Sequence, residues 1–147
     1  MSNSLIIKNK VKSFKKIIYV SGDKSLSIRW VLFSSLAEGV SKSKNLLMSE
    51  DVLAAIQTIK KLGIKVKFEN NICIIYGKGI DGYKYKKNLT INAKNSGTLG
   101  RLILGLLINS KYPIKLIGDK SLSKRDFKRV SHPLSLFGAH FKLKKNK

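Results

Sequence analysis

The chain has 147 residues, 43% of them hydrophobic and 8% aromatic, which is enough for one domain with a core of its own. Its apolar runs are far shorter than the ~20 residues of a membrane-spanning helix, and its first residues lack a secretory signal pattern, so membrane and exported proteins are excluded. The net charge is +22, and the single cysteine, Cys73, excludes an internal disulfide. The cysteine usage predicts a cytoplasmic protein, and the charge taken alone favours nucleic acid or another polyanion as partner, although lysines scattered along the chain are more often a solvated surface.

Hydrophobic periodicity predicts a first unit in which strands and helices alternate. Ser49 is the expected N-cap of its second helix, Gly63 the expected stop, and Asn70-Asn71 the turn of a hairpin. In chain order the predicted elements are a strand at 15–20, a helix at 27–39 that is buried from several directions, a strand at 41–47, a helix at 49–63 and a β-hairpin at 64–77.

The second half repeats this order. Its predicted elements are a strand at 89–93, a helix at 97–109, a strand at 112–118, a helix at 123–138 and a strand at 139–143. Gly63 aligns with Gly138 at an offset of 75 residues, and Arg29 aligns with Arg101 at an offset of 72. The pattern predicts an α/β fold with α+β character, built from tandem units: an N-terminal strand segment (1–20), a first repeat (21–92) and a shortened second repeat (93–147).

The hexapeptide GDKSLS occurs twice, at 22–27 and 118–123, and an arginine (Arg29 or Arg125) follows each copy two residues on. The copies are 96 residues apart, which is not the repeat spacing, so a shared chemical task is one explanation of their identity. The first copy opens a helix, where free backbone amides attract anions and Lys24 adds a positive charge. The alternative is ordinary N-capping by Asp23 or Ser25.

A second helix start, Asn95-Ser96-Gly97-Thr98, is followed one turn later by Arg101. Glycine would let a ligand approach the backbone there, although a capped helix with a tight turn is the alternative. The chain has only four arginines, and all lie near such loops; their planar forks grip phosphate or carboxylate with two hydrogen bonds. These loops predict a small ligand with several negative charges.

The sequence lacks a convincing catalytic acid, base or metal site. His132 and His140 are isolated, and Glu50 and Asp51 are first-turn acids of the kind that complement a helix dipole. Cys73 lies in an apolar strand and is expected to be buried and inert. We therefore expect no metal site in this sequence.

In order, the segments GDKSLSIR, NLLMSEDVLAAIQTIKKLG, NAKNSGTLGRLILGLL and GDKSLSKRDFKRVSHPLSLFGA resemble the signatures of 5-enolpyruvylshikimate-3-phosphate (EPSP) synthases. The resemblance covers about residues 15–141. It implies the enolpyruvyl transferase fold and transfer of the enolpyruvyl group of phosphoenolpyruvate to the 5-hydroxyl of shikimate 3-phosphate, with release of phosphate. It also implies that the catalytic residues and the second domain lie beyond Lys147, so that this chain is an incomplete, inactive portion of the enzyme.

Carried over by motif position, the resemblance assigns three residues to shikimate 3-phosphate: Lys24, Ser25 and Arg29. It assigns Lys24, Gly97 and Arg125 to phosphoenolpyruvate, with Gly97 also governing sensitivity to glyphosate. Supporting roles fall to Asn95, Thr98 and Arg101. Ile28, Gly100 and Leu102 differ from the residues that are commoner at these places in the family.

Two other functions remain open at this point. The sister enzymes that act on UDP-N-acetylglucosamine carry Lys-Asn where this chain has Lys24-Ser25, and a cysteine in the loop that here reads 118–120. A basic nucleic-acid-binding protein would account for the net charge of +22, but the chain lacks a known reader motif and aromatic-flanked basic ribbons.

Overall fold

The computed structural model describes residues 6, 8, 12, 13 and 15–143. Within them the chain alternates between helices and short strands, as the periodicity predicts. The elements are α1 (Lys24–Leu36), β1 (Glu38–Lys44), α2 (Glu50–Lys61), β2 (Lys65–Glu69), β3 (Ile72–Lys78), β4 (Thr90–Asn92), α3 (Gly97–Leu106), β5 (Lys115–Ile117), α4 (Lys120–Ser123) and α5 (Lys128–Leu136).

The first half is a three-stranded antiparallel sheet with α1 and α2 packed together beside it. β3 is the central strand, so it carries the most buried residues of the sheet, and α1 lies against it. Ile28, Val31 and Leu32 of α1 are at most 1% exposed, which confirms that this helix is deeply buried. Phe33, which was expected to share in that burial, is instead 60% exposed.

Two local predictions in this half are confirmed because short-range chemistry determines them. Ser49 occupies the N-cap position of α2, although its side chain forms no capping hydrogen bond, and Gly63 follows the helix with a φ of +86°, a conformation that glycine adopts without strain. The hairpin between β2 and β3 turns at Asn70 and Asn71, both in the left-handed region with φ of 46° and 60°.

The second half contains a parallel pair of strands, β4 and β5, joined through α3. Parallel neighbours need such a crossover because a tight turn can only reverse the chain. The buried residues Ile91, Leu99 and Ile103 belong to the same core as α1 and α2. β4 pairs with β5, which belongs to the second half. The expected boundary between the two units lies after residue 92, so β4 falls on the first unit's side of that boundary.

The ends of α2 and α5 are built alike, as the tandem repeat predicts. The Ile64 amide donates to the Ile59 carbonyl at 3.0 Å, and the Ala139 amide donates to the Leu134 carbonyl at 3.3 Å. Gly138 has a φ of +89°, close to that of Gly63. Both helices thus end in the same six-residue hydrogen-bonded turn, 75 positions apart.

Two predicted strands are wrong. No strand forms at 15–20, where Ile17 is 83% and Tyr19 is 93% exposed, or at 139–143. Strand formation requires a hydrogen-bonding neighbour, and these segments find none among residues 15–143. The rest of the predicted 1–20 strand segment, apart from residues 6, 8, 12 and 13, lies outside the described residues, as do residues 144–147 of the second unit.

The helix predicted at 123–138 forms only as α5 (Lys128–Leu136), and the short helix α4 (Lys120–Ser123) lies before a break and overlaps the prediction only at Ser123. The break occurs at Asp126, whose Oδ1 accepts a hydrogen bond from the Lys128 amide at 2.8 Å. Such a local bond competes with the backbone ladder of a helix, so the chain turns here and α5 begins afresh. None of the helices in the described part of the chain is long and apolar enough to cross a bilayer.

Candidate functional site

The first GDKSLS copy forms the entrance to α1. Asp23 is the N-cap, and its Oδ1 accepts a hydrogen bond from the Leu26 amide at 2.7 Å. A Cβ at Gly22 would lie 3.0 Å from the Leu47 amide nitrogen and would overlap the Asn45 carbonyl oxygen. Glycine is therefore needed where this loop crosses the segment after β1.

The second copy makes the same turn at the start of α4. Asp119 is the N-cap, and its Oδ1 accepts from the Leu122 amide at 2.7 Å. A Cβ at Gly118 would lie 2.8 Å from the Lys94 carbonyl oxygen. Capping by the aspartate, the alternative raised for Asp23, is therefore confirmed and accounts for the aspartate that the copies share, while close backbone contacts account for the glycine. A common chemical task for their lysines and serines stays a prediction.

The residues assigned to shikimate 3-phosphate lie together in the first turns of α1. Lys24 and Arg29 are exposed and Ser25 is half-buried. The Arg29 guanidinium donates to the Ser25 carbonyl at 3.2 Å, which holds its fork beside the helix start. This arrangement leaves both cationic groups accessible to a ligand.

Asp51 is a member of this group that sequence reasoning missed. Its carboxylate lies 3.4 Å from the Lys24 ammonium and is only 13% exposed, whereas the lysine side chain is 54% exposed. The sequence indicates only that Asp51 is a first-turn acid that complements the dipole of α2. Its distance from Lys24 along the chain gives no sign that the two side chains meet. Packing of α1 against α2 brings the two charges together.

The second group lies at the start of α3, where two arginines converge on Gly97. A Cβ at Gly97 would lie 3.3 Å from the Arg101 Nη1 and would overlap the Arg125 Nη1. Neither guanidinium forms an ion pair within residues 15–143. Two guanidinium groups without an acidic partner in that range lie beside the free amides of a helix start and create a strongly positive site. A bound anion would neutralise this charge.

The other predicted members of this group surround it. The Ser96 hydroxyl caps α3 by accepting from the Leu99 amide at 3.3 Å, which confirms the capped-helix interpretation of this loop. Asn95 is exposed, and Thr98 is half-buried in the first turn. The cap and the arginines are compatible, because Ser96 accepts from the Leu99 amide only, while Arg101 and Arg125 lie beside Gly97.

Arg125 also borders an open hollow of about 880 Å³ next to α4. Its polar lining is mostly basic, with two acidic residues, and includes Lys120, Lys124, Lys128, Asp119 and Asp126. Within the described residues, no hydrogen bond or ion pair joins the Lys24 group directly to the Gly97 group, although α1 packs against α3. The chain therefore has two cationic groups, one at the start of each of two helices that pack together.

The remaining candidates have no role at this site. Cys73 is 1% exposed, and burial raises its pKa from 9.0 to about 11, so the thiol is unreactive at neutral pH, as predicted. His132 and His140 are exposed. Among residues 15–143 and the four described residues before them, no three metal-ligating side chains come together.

The fold and the two groups define a partial α/β domain with arginine-rich helix starts. The family model described as EPSP synthase (3-phosphoshikimate 1-carboxyvinyltransferase) matches residues 8–147. This chain belongs to that family.

Individual relatives agree with the assignment. The 3-phosphoshikimate 1-carboxyvinyltransferase of Streptococcus agalactiae serotype Ia is 41% identical over 127 residues, which are 86% of this chain and 30% of the relative. That of Bacillus cytotoxicus is 43% identical over 123 residues, 84% of this chain and 29% of the relative. A solved EPSP synthase from Acinetobacter baumannii superimposes with a TM-score of 0.77 at 37% identity, covering 84% of this chain and 28% of that one. The chain thus spans about three-tenths of the length of these relatives, which confirms the expected partial domain.

Proposed function

We propose that this chain supplies part of the substrate site of an EPSP synthase. In this proposal Lys24, Ser25 and Arg29 bind shikimate 3-phosphate, and Lys24, Gly97 and Arg125 bind phosphoenolpyruvate. Asn95, Thr98 and Arg101 support the second site. The observation that carries the proposal is the convergence of two unpaired guanidinium groups on Gly97 in a chain of this family.

The chemistry of the substrates fits these groups. Phosphoenolpyruvate carries a phosphate and a carboxylate, and each is a planar or forked set of oxygens that arginine binds with paired hydrogen bonds. The reaction attaches C2 of phosphoenolpyruvate to the 5-oxygen of shikimate 3-phosphate and breaks the bond from C2 to the phosphate oxygen. The two substrates and the intermediate that forms when they join carry several negative charges, so cationic side chains held in fixed positions stabilise that intermediate.

The same reaction also needs a proton donor for the methylene carbon and a base for the 5-hydroxyl. The acids near the cationic groups are already engaged: Asp51 is paired with Lys24, and Asp23, Asp119 and Asp126 accept hydrogen bonds from backbone amides. We therefore expect this chain alone to bind phosphoenolpyruvate weakly and to release no phosphate from the two substrates. The reaction would require no metal or organic cofactor, and we expect it to take place in the cytoplasm.

Titration of the 147-residue chain with phosphoenolpyruvate, followed by ³¹P NMR at low salt, tests the proposal. Arg125→Ala should weaken binding by roughly tenfold, because one charge-assisted contact is lost. Arg129→Ala removes the same charge outside the group and serves as the matched control, with binding changed by less than about twofold. Equal effects of the two variants would reduce the binding to non-specific attraction by a chain of net charge +22.

Glyphosate and nucleic acid are the further ligands to compare. Glyphosate, an anion that the resemblance associates with Gly97, should compete with phosphoenolpyruvate in the same titration. Random double-stranded DNA should bind weakly at physiological salt, because nothing besides net charge favours it. Tight DNA binding at physiological salt, with a steep dependence on salt, would favour the nucleic-acid alternative instead.

A further inference from the structure

The ring of Phe127 lies under the Arg101 guanidinium. The arginine Cζ is 6.0 Å from the ring centroid, within the range of a cation–π contact. The ring is half-buried and packs against the hydrophobic core. Packing therefore restrains the ring, and the guanidinium lies over it.

Gly100 provides the space for this ring. A Cβ at Gly100 would lie 3.2 Å from Cζ and 3.4 Å from Cε1 of Phe127, closer than side chains normally pack. Glycine weakens the interior of a helix, so this position in α3 gives up helix stability and leaves room for an aromatic ring. Gly100 is one turn from Gly97, where Arg101 and Arg125 meet.

We propose that Phe127 is a positioning residue for Arg101. The ring limits the rotamers of a long, flexible side chain and so keeps one guanidinium beside Gly97 before any ligand arrives. Arg101 is the only one of the two converging arginines with such a support among the described residues. The expected effect of Phe127 on phosphoenolpyruvate binding rests on the proposed function, whereas its effect on the placement of Arg101 does not.

The arginine side-chain signals of the ¹⁵N-labelled chain test the placement without a ligand. Only four arginines are present, so four Nε–Hε resonances are expected, and the ring current of Phe127 should displace that of Arg101. Phe127→Leu keeps an apolar side chain but removes the ring, and it should return the Arg101 resonance to the position of a free arginine. Phe127→Tyr keeps the ring and should leave it displaced. Phe137→Leu is the matched control, because Phe137 is 79% exposed.

Gly100→Ala probes the same contact from the opposite side, should Phe127→Leu fail to fold. The new methyl pushes the ring away from α3, so the Arg101 resonance should move although the ring is still present. In the phosphoenolpyruvate titration, Phe127→Leu should weaken binding by roughly two- to fivefold, and Phe127→Tyr should restore it.

An Arg101 resonance that does not respond to Phe127→Leu or to Gly100→Ala would overturn the proposal. Equal weakening of binding by the Leu and Tyr variants would also overturn it, because packing alone would then explain the effect. If the wild-type chain does not bind phosphoenolpyruvate at all, the proposed function is wrong, and the resonances still decide whether Phe127 positions Arg101.

Discussion

Substitution of Gly97 by alanine should separate binding from folding at the α3 start. Gly97 is buried as the first residue of α3, and its backbone is not in the left-handed region, so alanine fits the local conformation. The added methyl would overlap the Arg125 Nη1 and lie 3.3 Å from the Arg101 Nη1. Both atoms are the ends of flexible side chains, so the guanidinium groups move aside while the fold persists.

Gly97→Ala should change stability and ligand affinity in opposite directions. Alanine in place of a helical glycine raises the free energy of unfolding by up to about 1 kcal/mol. Displacement of Arg125 removes a charge-assisted hydrogen bond to the ligand, which is worth roughly 1.5–3 kcal/mol, or about ten- to a hundredfold in affinity. Gly97→Ala should thus unfold at the same or higher urea concentration and bind phosphoenolpyruvate at least tenfold more weakly.

Urea unfolding followed by circular dichroism, together with the ³¹P NMR titration, measures both quantities on one preparation. Gly105→Ala is the matched control, because Gly105 lies in the same helix and a Cβ there would have open space around it. It should raise stability by about 0.5–1 kcal/mol and leave binding unchanged. If Gly97→Ala binds as tightly as Gly105→Ala, the guanidinium groups at Gly97 do not form the binding site.

Three further predictions concern stability and reactivity. Asp51→Asn should lower the free energy of unfolding by about 0.5 kcal/mol at low salt, because its ion pair with Lys24 is partly exposed, and a loss that persists in about 1 M NaCl would show that the ion pair is not the cause. Burial raises the pKa of Cys73 from 9.0 to about 11 in the folded chain, so stability should fall as pH rises from about 9 to 11, and it should fall less steeply in Cys73→Ala, where only Tyr83, whose pKa burial also raises, still contributes in this way. Ser35→Ala removes the 2.7 Å hydrogen bond to the Tyr83 hydroxyl and the bond that Ser35 donates to the Leu32 carbonyl, and it should cost about 1–2 kcal/mol in urea unfolding, with a smaller loss when Tyr83→Phe is already present because only the bond to Leu32 then remains to be lost.

Local chemistry explains which elements could be predicted from the sequence. The end of α2 follows from a glycine at positive φ, and the hairpin follows from two asparagines that tolerate the left-handed region, whereas Ser49 marks the start of α2 without a capping hydrogen bond from its side chain. The predicted strand at 15–20 has the right residues but no neighbour to bond with among those described. An apolar run indicates that a segment can form a strand, and only a partner decides that it does.

The candidate site divides in the same way. Its motifs are glycines and arginines at helix starts, and they can be recognised in the sequence because helix starts attract anions wherever they occur. The order of the motifs is enough to place the chain in the EPSP synthase family. The pairing of Lys24 with Asp51, the meeting of Arg101 and Arg125 at Gly97 and the ring of Phe127 in the space beside Gly100 depend on how separate helices and loops pack. Such contacts join residues that are distant in the chain, so only the tertiary structure could decide them.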